Sequence, residues 1–425
     1  MKKKLAIVGS GISGMAAAWF LHRRFDITLF EQNDYVGGHT NTVTIEEGNR
    51  KVPVDTGFMV FNHVTYPLLT RLFKELEVET EATDMSFSVQ HRPSNLEFNG
   101  GNLDLLFVQR RNLLSPRYWR MLFSIDRFNK EAIPAINDPR WADFTLAQYI
   151  QSRGYGSDML DRYLIPMSSA VWSTPPEEML DFPAMTLLRF WHNHGFLGLD
   201  KRHQWFTVTG GSRNYAQKLT APYQEQIRRS RKVIGVKRSP KSVELSFAEG
   251  TSETFDKVLL ASHADQSLAM LSDPTEQESR LLREFRYQPN TATVHTDKSF
   301  MPRLRRCWAS WNYRLEGSEK GVERATIHYW MNNLQHIKGE KNYFVSLNCE
   351  NQIAPEHILR RIKYEHPLFS LSAIKAQREL DSFNNLSPDQ TTYYAGAWFN
   401  YGFHEDGLAS ALACSRALAG EEVWA

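Results

Sequence analysis

Cysteine is scarce in this chain: Cys307, Cys349 and Cys414 are the only three, far apart and in no metal-ligand spacing. So odd and sparse a set excludes a disulfide framework and points to a reducing, cytoplasmic setting. Charge of one sign is also missing. Lys and Arg total 50 against 48 Asp and Glu, a net charge of +2, so nucleic acid is not expected as a partner. Beyond the N-terminus no run reaches 18 uninterrupted apolar residues, which leaves no candidate bilayer span. Internal repeats and low-complexity linkers are lacking as well. What is plentiful is aromatic: 12% of the 425 residues, with 11 Trp. Such a chain builds either aromatic-rich cores or a large apolar pocket.

The N-terminal stretch MKKKLAIVGSGISGMAAAWFLHRRF admits two readings. Its lysines, apolar run and A-x-A resemble a secretory signal. Its glycines at Gly9, Gly11 and Gly14 have the spacing of a dinucleotide turn between a strand and a helix. In that turn Gly9 permits the bend, Gly11 lets the backbone approach a pyrophosphate, and Gly14 lets helix and strand pack. The helix opening around Ser13 then offers N–H groups and a positive dipole end to phosphate. The deciding feature lies downstream. ITLFE places Glu31 at the end of a second strand, where an acid accepts hydrogen bonds from the ribose hydroxyls. A secretory leader has no reason to be followed by that strand and acid, so the nucleotide reading prevails.

Six residues after Glu31 come Gly37 and Gly38, in EQNDYVGGHTNT, followed by His39 and Thr40. VPVDTGFMVFN then supplies Asp55 and Gly57 before a helical segment. VTGGSRNYAQKL, with Gly210 and Gly211, reads as a glycine turn entering a helix. KVIGVKRSPKSVELSFAEGTSETFDKVLL reads as hairpin strands and a returning strand. Near the C-terminus stands YYAGAWFNYGFHEDGLASALACSRALAG, with Gly396, Asp406 and Gly407. Taken in this order, the segments resemble the two-domain flavoproteins: amine oxidases, phytoene desaturases and protoporphyrinogen oxidases. The resemblance implies FAD as cofactor and a backbone contact to adenine at Val233. It also implies a last helix that opens at Gly407 and points at the flavin. His39 stands where many relatives have Arg, and Ala397 where they often carry an acid.

No second GxGxxG is present, so a nicotinamide site beside the FAD is not expected. Oxygen, a quinone or a protein carrier then takes the electrons. The expected fold is α/β: a discontinuous Rossmann-like FAD domain (1–85, 200–280, 385–425) with a mixed α+β substrate domain (86–199, 281–384). The substrate domain would be helical first and an antiparallel sheet later, with Trp308, Trp311, Tyr329 and Trp330 on candidate pocket strands.

The segments LIPMSSAVWSTPPEEMLDFPAMTLLRFWHNHGFLGLDKRHQWFTVTGGSR and YEHPLFSLSAIKAQREL narrow the match. They resemble a bacterial subfamily of FAD-dependent oxidoreductases often encoded beside cyclopropane-fatty-acid-synthase-like methyltransferases. That resemblance implies desaturation or oxidation of a lipid acyl or other apolar substrate. An amine substrate, or flavin-dependent isomerisation without net redox, are the alternatives. Trp172, Phe182, Phe190, Trp191, Phe196, Trp205 and Phe206 form either a packed core or the wall of a substrate tunnel.

His404 is the candidate catalytic residue, either as an imidazolium compensating flavin charge or as a neutral base. Asp406 is expected to cap the last helix, and Glu405 to meet ribityl groups or solvent. His192 and His194 are H-x-H without an acid or cysteine to complete a metal site, so no metal is expected. Between Gly101 and Lys130, Arg110, Arg111, Arg117, Arg120, Arg127 and Lys130 alternate with Leu, Phe, Tyr and Trp against two acids. This suits either a solvated helix face or peripheral contact with an anionic membrane.

Overall fold

A computed structural model describes residues 2–198, 203–317, 324–385 and 390–424; the expected domain boundary at 199/200 lies outside them. The apolar run after the first lysines forms the strand Lys4–Val8, whose Leu5, Ala6 and Ile7 are wholly buried. It is the middle strand of five, in the order Ile227–Arg228, Asp26–Phe30, Lys4–Val8, Lys257–Leu260, Thr392–Tyr394. Every neighbouring pair is parallel. Such a sheet is covered on both faces, which is why its strands read as continuous apolar runs. Three stretches of chain, remote in sequence, complete it.

Helix Ile12–Leu21 follows the glycine turn and packs along the last helix, His404–Ala419. Ala16, Ala17 and Ala18 have no exposure. A Cβ on Gly407 would stand 2.7 Å from Ile12 Cγ2 and 2.9 Å from Ser13 Oγ, and that hydroxyl donates to the Gly407 carbonyl at 3.0 Å. Gly407 is therefore glycine because two helices touch there. The last helix starts three residues earlier than the sequence suggested, at His404. Asp406 is not the cap but the third helical residue, reaching back as a capping box does. Its Oδ2 accepts from Phe403 N (2.8 Å) and its Oδ1 from Asn400 Nδ2 (2.9 Å). Gly407 N is spent on Phe403 O at 3.0 Å, so it is no free anion-binding donor.

A second sheet of seven strands runs Ile358–Leu368, Arg286–His295, Phe344–Leu347, Arg324–Trp330, Trp311–Glu316, Phe87–His91, Leu96–Asn99. All its pairs are antiparallel except Trp311–Glu316 with Phe87–His91. The stretch after residue 86 thus opens with a hairpin before its helices, the longest being Pro116–Ala135. Trp308 and Trp330 clasp the Arg305 guanidinium, which lies 3.8 and 4.3 Å from their rings. Trp311 and Tyr329 are cross-strand partners in edge contact.

Gly407→Ala should lower stability by about 1–3 kcal/mol through overpacking. This is expected despite the roughly 1 kcal/mol that Ala gains over Gly inside a helix. A denaturation midpoint equal to that of the parent protein would show that the helices part freely.

Candidate cofactor and active site

The three glycines of the first turn have different surroundings. Gly9 has φ +100°, and a Cβ there would meet Ala261 O at 2.7 Å; a Cβ on Gly14 would run into Gly9 O. Gly11 has an ordinary φ of −62°, and a Cβ added to it would meet nothing within 4 Å. Backbone that needs no glycine for conformation or packing, and faces open space, suits the close approach of a ligand. Gly11 is also the cap residue of the first helix and gives its amides no side chain. The N–H groups around Ser13 and Gly14 are therefore donors for an anion.

Glu31 is buried at the end of the second strand and holds four donors. Oε2 accepts from Ser10 N (3.0 Å) and Ser10 Oγ (2.5 Å), Oε1 from Asn33 N (2.8 Å) and Asn33 Nδ2 (2.9 Å). That is about the full capacity of a carboxylate. A ribose hydroxyl reaching Glu31 has to replace one of the two side-chain donors, while the backbone amides keep the carboxylate in place. Arg231 N donates to Glu31 O at 2.8 Å, so the chain entering the strand at Val233 passes beside this acid.

At the other end Gly37 (φ +129°) and Gly38 (φ +59°) turn the chain so tightly that a Cβ on Gly38 would lie 3.2 Å from Gly11 Cα. His39 and Thr40 follow. Thr40 Oγ1 bonds the Tyr215 hydroxyl and, at 3.0 Å, His404 Nε2. Phe58 stacks on His404, with ring centroids 3.9 Å apart. Gly57 lets the chain pass His39, whose carbonyl a Cβ would strike. The His39 ring stacks on Tyr364 at 4.6 Å and lies 5.0 Å from His366. Loops of the nucleotide sheet and strand Ile358–Leu368 of the second sheet thus meet in one group: His39, Thr40, Phe58, Tyr364, His366 and His404.

The three imidazoles are partly buried, and each keeps some accessible surface. His39 Nε2 is buried without a hydrogen-bond partner. This orphan at one end and the open space over Gly11 at the other fit a dinucleotide with a ring that accepts hydrogen bonds. Burial lowers His404 to about 3 and His366 to about 4, and takes His39 well below its usual value. Burial thus favours the neutral form of all three.

One proton can be located. Thr291 N donates to Asn348 Oδ1 (2.9 Å), which fixes that amide; Asn348 Nδ2 then donates to Asn290 Oδ1 (2.7 Å). Asn290 Nδ2 is left to donate to His366 Nδ1 at 2.8 Å, so neutral His366 carries its proton on Nε2. Asn348 also lines a cavity of about 340 Å³ with Ser169, Tyr313, Ile327, Leu347 and Cys349.

Other expected contacts fall elsewhere. Asp55 has no exposure and accepts from Thr42 Oγ1 (2.5 Å), Ser212 N (3.0 Å), Ser212 Oγ (2.8 Å) and Gln335 Nε2 (2.8 Å). It ties the Gly210–Gly211 turn to the hairpin and has no oxygen left for a cofactor. Burial raises it to about 6 and these bonds oppose the rise. Glu405 caps the helix Pro67–Glu75 by accepting from Leu68 N (2.8 Å) and Leu69 N (2.9 Å). Gly396 N donates to Ser410 Oγ at 2.9 Å, and a Cβ there would strike the Trp398 indole.

Trp398 packs on Phe285 in the core, while Tyr401 faces Phe190. Trp172, Phe182, Phe190 and Trp191 are buried against one another and their neighbours, as a core. None of the seven clustered aromatics lines the cavity. His194 is buried against Phe190, whereas His192 is exposed. Sequence reasoning missed Tyr364 and His366, because nothing local to YEHPLF says that its strand ends beside His39.

A parallel nucleotide sheet with this glycine turn, its acid and a second sheet closing over the far end define a Rossmann-type flavoprotein. The chain belongs to the flavin-containing amine oxidoreductase family, whose sequence model matches residues 12–359. It is thus an FAD-dependent oxidoreductase. A stretch of 78 residues is 35% identical to 1-hydroxycarotenoid 3,4-desaturase of Flavobacterium sp. (strain P99-3), covering 18% of this chain and 15% of that protein. The structure of a CLA-producing fatty acid isomerase from P. acnes matches with a TM-score of 0.67 and 14% identity, over 96% of this chain and 97% of that one. Cyclohexylamine oxidase from Brevibacterium oxydans IH-35A matches with a TM-score of 0.68 and 14% identity, over 99% of each chain. At these identities the common property is the fold.

Gly11→Val is expected to separate cofactor binding from folding. Its side chain enters open space, so the unfolding midpoint of the apoprotein should hold. FAD should bind weaker by the roughly 1–3 kcal/mol of an overpacked contact, about 5- to 150-fold. Equal flavin retention in both proteins would move the pyrophosphate away from this turn.

A second expectation concerns acid. His194, His295, His366 and His404 are lowered to about 4, 4, 4 and 3. Their contribution is present above pH 6.5 and lost as pH falls toward 4. Asp55 and Asp406, raised to about 6 and about 7, act oppositely: their contribution is lost as pH rises through those values. Four groups outweigh two, so the thermal midpoint should fall between pH 6.5 and pH 4. A flat or rising midpoint would contradict this.

Proposed function

We propose that this enzyme removes a hydride equivalent from an uncharged, apolar substrate, a fatty-acyl chain, in a desaturation or oxidation. The observation that carries the reading is the chemistry of the group around His39. Its imidazoles are neutral, its other members are Thr40, Phe58 and Tyr364, and the neighbouring carboxylates are already engaged. Asp55, Glu405 and Asp406 accept from protein donors, and Glu365 lies 3.4 Å from His263 Nδ1. A protonated amine would find no free anion there, whereas a hydrocarbon requires none. Similarity to a protein named a carotenoid desaturase, and the fold shared with one named a fatty acid isomerase, support the same substrate class.

FAD, when bound, supplies the hydride acceptor. The residues suited to hold it are Gly11, Ser13 and Gly14 at the phosphates, Glu31 and Val233 at the adenosine, and Gly37, Gly38, His39 and Thr40 toward the ring. His39 Nε2 is buried and unpaired, so it can donate or accept there without giving up another bond. His404 Nε2 is engaged by Thr40, and Phe58 covers its ring, so it orients Thr40 more readily than it takes a substrate proton. His366, with its Nε2–H fixed through Asn290 and Asn348, presents a donor of constant sense.

Anaerobic mixing with a fatty-acyl substrate should bleach the flavin spectrum, whereas cyclohexylamine and putrescine should leave it unchanged. Bleaching by an amine would overturn the substrate assignment. Product formation without an electron acceptor, with the spectrum restored, would identify isomerisation instead.

A further inference from the structure

The helix Pro116–Ala135 and the turns before it carry most of the exposed apolar side chains of the described residues. Ten large apolar side chains are exposed, and seven belong to one region: Leu103, Leu113, Leu114, Trp119, Phe123, Ile133 and Leu304. Leu304 joins it through space, since Arg306 pairs with Asp104. On the helix, positions 119, 123, 126, 130 and 133 share one face at 3.6 residues per turn. Phe123 and Leu114 are 66% and 88% exposed, while Trp119 leans on Phe107 and Phe123 with centroids 5.0 and 5.9 Å away. Apolar groups of this size usually lie inside, and a contiguous outside set marks a binding surface.

The charge around them indicates what is bound. Residues 101–130 and 303–306 hold nine basic and two acidic side chains, a surplus of seven in a chain whose total surplus is two. All nine basic residues, Arg110 to Lys130 and Arg303 to Arg306, are exposed. Five of these charges are paired locally, Arg110 and Arg306 with Asp104, Arg117 with Asp158, Arg127 with Glu131 and Lys130 with Asp126; counting Asp158 and Glu131 against the seven still leaves a surplus of five. No helix of the described residues is long and apolar enough to cross a membrane. A protein partner of matching acidity would complement the arginines, but it would not call for Trp, Phe and Leu standing out among them. A bilayer meets both needs, with acyl tails for the apolar groups and acidic headgroups for the basic rim.

We propose that this face docks the enzyme on an anionic lipid surface, with Leu114, Trp119 and Phe123 entering the headgroup boundary and Arg111 and Arg120 among those reading its charge. The inference does not rest on the substrate assigned above. Holoenzyme is incubated with vesicles of phosphatidylglycerol and phosphatidylcholine, or of phosphatidylcholine alone, and sedimented, with flavin absorbance reporting its position. It should pellet with the anionic vesicles only, and less so at high salt. Arg111→Gln with Arg120→Gln should lower the partition roughly thirtyfold. Leu114→Ser with Phe123→Ser should abolish it, with flavin content unchanged in both.

The three native thiols are buried, so Phe123→Cys takes an environment-sensitive dye at one place, whose emission should shift to the blue on anionic vesicles. Protein that stays in the supernatant, or variants that pellet like the parent, would overturn the proposal. So would a dimer in the ultracentrifuge that the Phe123→Ser change dissolves, since the face would then join two copies of this chain.

Discussion

One buried carboxylate ties three remote stretches of the chain together. Asp55 ends the hairpin that begins at Thr42, and its oxygens collect donors from that hairpin, from Ser212 after the Gly210–Gly211 turn, and from Gln335 in the connection between strands Arg324–Trp330 and Phe344–Leu347. Its own N–H donates to Gln335 Oε1 at 2.9 Å. Three stretches separated by more than 100 residues thus converge on one side chain. Charging it there costs free energy, and burial raises it to about 6. Those bonds hold the D-x-G segment in place, and with it Gly57, Phe58 and the backbone beside His39. The geometry of the site is fixed from behind, by a residue that leaves the site itself to others.

Much of the nucleotide half can be read in the sequence because its constraints are local. A strand, a glycine turn and a helix of alanines follow one another within twenty residues, and Glu31 falls where the next strand must end. The C-terminal half of the site is harder to read. The pattern HEDG looked like a cap before a helix, yet the helix takes in all four residues. Glu405 and Asp406 then turn toward Leu68 and Phe403, neither of which the local pattern names. Gly407 and Gly396 looked like cofactor glycines, and both are small because another side chain, Ile12 or Trp398, occupies the space. A sequence shows that a glycine is there; only the packed neighbour tells why.

The substrate half was legible as composition and not as shape. Aromatic crowding around Trp172 was equally consistent with a wall and with a core, and the packing of Phe182, Phe190 and Trp191 makes it a core. Tyr364 and His366 lie on a strand whose register, Tyr364 opposite Asn290 and His366 opposite Gln288, decides what stands beside His39. Register of this kind depends on pairings across the whole sheet, and no short motif encodes it.

The order of the five parallel strands has a consequence for biosynthesis. Thr392–Tyr394 is an edge of the nucleotide sheet, and the helix that covers Ile12–Leu21 ends at Ala419. A ribosome delivers the glycine turn first and its lid last, several hundred residues apart, and non-local pairings form late. Until then the first helix lacks the partner that packs along it, His404–Ala419. The nucleotide sheet can therefore be completed only once Thr392–Tyr394 has joined it. Truncations near the C-terminus should act on holoenzyme assembly before they act on turnover.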